Sequence, residues 1–296
     1  MCGGEEKMNA LVFGGTRFMG KHLVKELIEM GYNVTIATRG IMNDDFGNKI
    51  SRLIVDRTDA KSLQKNIPDT IYDVIFDNIA YCSNDVKYLL STIKCRRYIQ
   101  VSSASVYTDL HNNTREEEFD ANNKPLIYCG KNDFPYGEIK RQAECAITQD
   151  YSHISSVVVR FPFVIGTDDY TERLYFYVDH IINQKPMFVD NLESKMAFVR
   201  SDEAGKFLAF VAGSDFKGAI NGASEQTISM KEVVCYIKSK TGKSPILCND
   251  GEKAPYNGAS DYYLNVDKVK SLGFSFTPLT NWIYDLIDSY IIKAGL

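Results

Sequence analysis

Residues Asn9 to Phe13 form a short apolar run that breaks into Gly14-Gly15-Thr16-Arg17-Phe18-Met19-Gly20; from Lys21 to Met30 an apolar face returns on Leu23, Val24, Leu27 and Ile28. A run of that length suits a strand buried on both faces, and the spacing after it predicts a helix. Strand, tight turn and helix in quick succession constrain the fold more than any other stretch. Glycines in such a turn let the backbone approach a pyrophosphate, whose charge is favoured at a helix N-terminus by free amides and the dipole. An ordinary glycine turn is the competing reading.

The same alternation continues. Strand-like runs at Asn33–Thr38, Arg52–Val55, Val74–Asp77, Arg97–Ser102 and Ser156–Phe161 are separated by helical segments such as Asp85–Lys94 and Tyr136–Gln149. Apolar strands alternating with helices call for a parallel sheet covered on both faces, with right-handed crossovers, and ligands then bind at the carboxyl ends of the strands. The expected architecture is α/β, a Rossmann-type doubly wound parallel sheet over residues 8–166. From about Thr167 the pattern changes to helices at Arg173–Asn183, Asp202–Ala212, Met230–Thr241 and Leu279–Ile291 with short strands between. Residues 167–296 read as a smaller α/β lobe facing the substrate, with no flexible tether between the two.

Composition narrows the function classes. The 296 residues are 44% hydrophobic with a net charge of −4, enough for a large core and without a nucleic-acid footprint. No apolar run approaches the ~20 residues a membrane helix needs. The polar start, Cys2-Gly3-Gly4-Glu5-Glu6-Lys7, does not resemble a signal peptide; Met8 suits a secondary start with the first seven residues as a loose tail. The seven cysteines are scattered without a Cys-x-x-Cys pair and read as reduced thiols, which implies a cytoplasmic protein, and neither they nor the four histidines suggest a metal site.

Tyr136 and Lys140 stand one helical turn apart. A tyrosine is a poor acid or base near neutrality, with an ordinary pKa of about 10, and a lysine one turn on can stabilise its phenolate. Alone, the pair equally describes a solvated lysine beside a half-buried tyrosine. Its company is more specific: Asp56 after the third strand, Asn78-Ile79-Ala80 after the fourth, Val101-Ser102-Ser103-Ala104-Ser105-Val106-Tyr107 after the fifth, and Phe198-Val199-Arg200-Ser201-Asp202-Glu203-Ala204 further on.

In that order, these motifs resemble the extended short-chain dehydrogenases/reductases of the NAD-dependent epimerase/dehydratase type, over nearly the whole chain. The resemblance implies that Ser103 orients a substrate hydroxyl, Tyr136 exchanges the proton, and Lys140 lowers the tyrosine pKa and bonds the nicotinamide ribose. It implies a cofactor held by the turn Gly14 to Gly20, by Asp56 at the adenine, by the backbone at Ala80 and by Pro162. Taken singly, Ser103 also suits a loop cap and Asp56 a helix cap.

Departures from the family pattern are informative. Arg17 stands where a second glycine is usual and should narrow the cofactor entrance. The second strand ends Thr38-Arg39-Gly40 without an acid for a ribose 2′-hydroxyl; Arg39, with Arg17 and Thr38 assisting, suits a 2′-phosphate, which favours NADP over NAD. In Arg160-Phe161-Pro162-Phe163, Phe163 occupies the place of an asparagine common in nucleotide-sugar enzymes, so a diphosphate loses a donor. Asp168 and Asp169 would repel one, and suit a helix cap equally; Arg173 and Arg200 are candidate anion ligands, with surface roles favoured. Residues 108–134, holding Glu116-Glu117-Glu118, read as a lid or functional loop, the acidic triplet as a solvated face. Ala104 after Ser103 argues against a dehydratase. The expected substrate is a nucleotide sugar or another small hydroxyl or carbonyl compound. A homodimer through Asp85–Lys94 and Tyr136–Gln149 is expected. The Gly-Gly-Thr-Arg-Phe turn is also similar to that of chains described as RNA-binding, which keeps a non-catalytic binder as the alternative; nucleic acid is disfavoured by the acidic balance.

Overall fold

A computed structural model of the chain describes residues 7–295; apart from Lys7, the tail expected at the start lies outside them. Seven parallel strands form the central sheet: β1 (Asn9–Phe13), β2 (Asn33–Thr38), β3 (Ser51–Ile54), β4 (Ile71–Asp77), β5 (Lys94–Ser103), β7 (Ser155–Phe161) and β12 (Gly218–Asn221). Their order is β12-β7-β5-β4-β1-β2-β3, so the winding reverses between β1 and β4. On one face lie α1 (Phe18–Glu29) and α6 (Ser201–Ala212); on the other lie α2 (Ala60–Asn66), α3 (Ser83–Leu90) and α4 (Tyr136–Gln149). Covering both faces buries the inner strands almost completely, as the continuous apolar runs require, while the edge strand β3 stays largely exposed.

The lesser expectations differ at their edges for local reasons. Helix α3 starts at Ser83 because the Asp85 carboxylate accepts from the amides of Tyr81 (2.8 Å) and Cys82 (3.3 Å), and it stops at Leu90, since Lys94 already belongs to β5. Helix α2 has no apolar stripe: Leu63 is its buried residue, and an Asp59 cap starts it. The last helix, α9 (Ile283–Lys293), begins after a separate 3₁₀ turn at Leu279–Asn281.

Residues beyond 166 supply two pieces to the sheet layer. Strand β12 extends the sheet beside β7, and α6 packs on α1 so closely that a Cβ on Gly205 would lie 2.6 Å from the Leu23 nitrogen. The rest forms a second core around α5 (Arg173–Ile182), α7 (Met230–Thr241) and α9, with α8 (Asp267–Ser271) against β12. Short strands stitch it together: β8 (Phe163–Ile165) with β11 (Phe198–Arg200), β10 (Lys195–Met196) with β13 (Ile228–Ser229), and β9 (Pro186–Phe188) between β14 (Ile246–Leu247) and β15 (Glu252–Lys253). No helix among the described residues is long and apolar enough to cross a membrane.

The stretch 108–134 is not a bare loop. Its strand β6 (Asn112–Thr114) pairs with β16 (Tyr263–Leu264), and Glu116, read from sequence as part of a solvated face, is buried. The Glu116 carboxylate accepts from the Asn221 amide (2.9 Å), and its carbonyl accepts from Arg160 (2.8 Å). Glu117 and Glu118 stay at the surface, paired with Lys268 and His111.

Candidate functional site

At the carboxyl ends of the strands, where the winding reverses, a cavity of about 690 Å³ opens between the sheet and the second lobe. Its walls include Gly14, Thr16, Arg17, Phe18, Met19 and Gly20 after β1, Asn78 to Tyr81 excepting Ala80 after β4, Ser103 at the end of β5, Pro162 after β7, and Tyr136 and Lys140 on α4. Most of the residues singled out from sequence therefore share one space, although they span more than 140 positions.

The turn is shaped by two contacts that exclude a side chain. Gly14 has φ +77°, and a Cβ there would press on Ile79 at 2.9 Å; a Cβ on Gly20 would sit 1.8 Å from the Gly14 carbonyl oxygen. The Asn78 amide donates to that same oxygen (3.3 Å), fixing the turn to the end of β4. Gly15 is different: it faces Ile36, Val24 and Val12 and serves helix–sheet packing, outside the cavity. Phe18 is left-handed at φ +54°, a conformation that costs a non-glycine residue on the order of 1 kcal/mol or more. Its ring meets Tyr170 edge-on at 5.9 Å, and the Arg17 guanidinium lies 4.2 Å over the same Tyr170 ring. Arg17 thus reaches across the mouth to the second lobe. That placement corrects the expectation that it joins Arg39.

Ser103 does two things. Its hydroxyl accepts from the Ser105 amide (3.2 Å), capping the turn after β5, and it also faces the cavity. Lys140 is buried, and its Nζ donates to the carbonyls of Ala80 (2.7 Å) and Val101 (2.9 Å). Burial brings its pKa down to about 8, although Asp77 and Glu144 favour the charged form. Tyr136 is 49% exposed toward the cavity. Its pKa is raised by desolvation, against which the Ser103 hydroxyl, Arg173 and Lys131 act. The expectation that Lys140 lowers the tyrosine pKa therefore needs correction: Nζ stands 5.9 Å from the Tyr136 ring centre and is occupied by the two carbonyls.

Ala80 does not line the cavity. Asp56 and Arg39 lie outside it as well, both exposed at the ends of β3 and β2. The Asp56 carboxylate accepts from the Thr58 amide (2.9 Å) and hydroxyl (2.7 Å), which hold its pKa down with a smaller effect from Arg39. Asp56 and Arg39 are thus electrostatic neighbours at the exposed ends of β3 and β2.

Below the cavity runs a row of buried charges that no motif marked. Arg57 pairs with Asp77, which also accepts from the Tyr98 hydroxyl (2.9 Å); Glu144, on the α4 face that carries Lys140, pairs with Arg160 (2.6 Å) and accepts from Ser102. The row alternates in sign, so each buried charge has an opposite neighbour. On the far side, Leu110, Gly258 to Ser260 and Tyr262 close the cavity, with Tyr81 beside Lys140. Sequence reasoning missed these. Tyr81 directly follows a motif, but nothing local marks the segment after Gly258.

A profile of the NAD dependent epimerase/dehydratase family matches residues 10–222. The chain belongs to that family. Solved structures share its fold: UDP-glucuronic acid 4-epimerase from Bacillus cereus superposes with a TM-score of 0.74 at 19% identity, over 97% of this chain and 99% of that one. UDP-glucose 4-epimerase from Thermotoga maritima gives 0.72 at 18% identity, over 97% and 99%. An alignment 111 positions long, covering 33% of this chain, is 33% identical to the chloroplast stem-loop binding protein of 41 kDa b from Arabidopsis thaliana. The alignment spans 29% of that relative's length.

Proposed function

We propose that this protein catalyses NAD(P)-dependent hydride exchange at a hydroxyl-bearing or carbonyl carbon of a small substrate, in the manner of an epimerase or reductase. One observation carries the reading: the glycine turn, Ser103, Tyr136 and Lys140 converge on a single cavity at the reversal of strand order. The cradle also fits a dinucleotide, because a Cβ on Gly14 would press on Ile79 and one on Gly20 would collide with the Gly14 carbonyl, so only glycine keeps the turn tight. The turn would hold the pyrophosphate, Pro162 would border the nicotinamide, and Asp56 and Arg39 would meet the adenosine end. When bound, the nicotinamide supplies or accepts the hydride.

The chain's own residues manage the proton. With its pKa raised, Tyr136 is protonated at neutral pH and donates to a substrate oxygen gaining negative charge; the reverse transfer draws on Arg173 and Lys131 to stabilise the phenolate. Ser103 orients that oxygen. Lys140 ties α4 to the ends of β4 and β5, which fixes Tyr136 one turn earlier.

Arg39, exposed beside Asp56, favours NADP over NAD, since its fork suits a 2′-phosphate. We assign residues 8–166 to the cofactor and 167–296 to the substrate, with α6 and β12 returning to the first layer, and place the protein in the cytoplasm as a homodimer through α3 and α4. Calorimetric titration with NADPH and NADH tests the core of the reading: it expects NADPH to bind tighter and Arg39→Ala to remove that preference. Binding of neither cofactor would overturn it.

The Arabidopsis relative supports a second reading, a non-catalytic RNA-binding protein on the same fold. A salt-sensitive shift of a stem-loop RNA in the absence of cofactor binding would favour it.

A further inference from the structure

Among the described residues, the charged side chains on the cavity wall are Arg17, Lys140 and Arg173, and no carboxylate lines it. Arg17 is stacked on Tyr170, and Lys140 donates to two carbonyls. Arg173, the first residue of α5, is held by its Nε, which donates to the Thr171 hydroxyl (3.0 Å); Thr171 donates in turn to buried Asp169 (2.6 Å). Its guanidinium lies 5.2 Å from the Phe163 ring centre, and its two terminal nitrogens have no hydrogen-bond or ion-pair partner among the described residues. A guanidinium fixed at one nitrogen and open at two is set for one bidentate oxyanion.

Two of the acids that share its segment are engaged elsewhere, while Asp169 is buried behind Thr171. Asp168 accepts from Ser201 (2.6 Å) and pairs with His22 (3.0 Å), while Glu172 pairs with Lys293 (2.7 Å). From sequence, Asp168 and Asp169 are expected to repel an anion; neither stands on the wall, so neither meets a bound anion directly. Beside Arg173 the wall carries the Phe163 ring, which packs on Tyr256 at 4.8 Å and on Phe198 at 5.9 Å and itself donates nothing to a diphosphate. The charge of Arg173 is felt at Tyr136, which puts an anchored anion and the proton-exchanging hydroxyl in one small space.

We infer that the substrate is a small hydroxy or keto compound with a single oxyanionic group, phosphate monoester or carboxylate, held by the Arg173 fork while its reacting carbon meets Ser103 and Tyr136. A nucleoside diphosphate carries more charge than the Arg173 fork neutralises and meets the Phe163 ring beside it, so it is the poorer fit. The reacting end of this inference rests on the hydride-exchange reading above; the anion site does not.

The test is calorimetric titration of the full chain with inorganic phosphate, acetate and UDP, each with and without saturating NADPH, in the native protein, Arg173→Gln and Arg173→Lys. Phosphate or acetate should bind the native protein, and whichever binds tighter names the anion. Affinity should fall by about ten-fold or more in Arg173→Gln and by less in Arg173→Lys, with NADPH affinity unchanged. Equal affinity in Arg173→Gln, no binding of either oxyanion, or UDP binding more than about ten-fold tighter than phosphate would overturn the inference. If NADPH does not bind while the oxyanion still depends on Arg173, the hydride-exchange reading falls and the anion site stands.

Discussion

Lys140→Met isolates a single buried charge. The ammonium is almost fully buried, and its pKa falls from 10.5 to about 8. A fall of about 2.5 corresponds to about 3.4 kcal/mol of penalty on the charged form within the fold. Below about pH 8 the folded and unfolded chains both hold the proton, and the penalty is present in full. Between about pH 8 and 10.5 the unfolded chain keeps a proton that the folded one releases, so stability rises with pH, by at most about 1.4 kcal/mol per pH unit. Above that range the penalty is gone. Methionine has no proton to release, and it leaves the Ala80 and Val101 carbonyls without their donor, a pH-independent loss of about 1–3 kcal/mol for each. The stability of the native protein relative to Lys140→Met should therefore climb by about 3 kcal/mol from pH 7 to 10.5. Urea unfolding at half-unit pH steps, followed by far-ultraviolet circular dichroism, measures the difference. A flat difference across that range would refute the buried ammonium.

Three further outcomes follow from single contacts. Gly20→Ala places a methyl 1.8 Å from the Gly14 carbonyl oxygen, so α1 must shift: a loss of about 1–3 kcal/mol in thermal unfolding is expected, together with loss of nicotinamide cofactor binding by calorimetry. Tyr136→Phe removes an exposed hydroxyl from the site and should leave the melting temperature unchanged while lowering kcat by about 10²–10⁴-fold on any substrate found by screening. Glu144→Gln leaves the Arg160 guanidinium buried without its carboxylate, and should cost about 3–5 kcal/mol in urea unfolding.

The glycine turn and the Tyr136–Lys140 pair were legible because each is a local device. A turn that needs φ +77° selects glycine at position 14 whatever lies elsewhere, and two residues four apart on a helix share a face. Glu116 was misread because its partner is the Asn221 amide, more than a hundred positions away; within its own segment it is one of three identical acids. The same holds for Asp168, expected with Asp169 to repel an anion until Ser201 and His22 draw it off. Gly258 to Tyr262 carry no motif and reach the cavity only through the packing of the second lobe.

By itself, then, the sequence determined the parallel, doubly covered sheet and the place of the cleft. Apolar strands alternating with helices have few ways to hide both faces, and glycine and helical spacing act within a few residues. Only the tertiary structure decided which charges are spent and which are free: that Lys140 is held by two carbonyls, that Arg17 crosses to Tyr170, and that Arg173 keeps two nitrogens open to the cavity. Ion pairing and desolvation depend on neighbours brought together from distant parts of the chain, and those neighbours leave no local trace in the order of the residues.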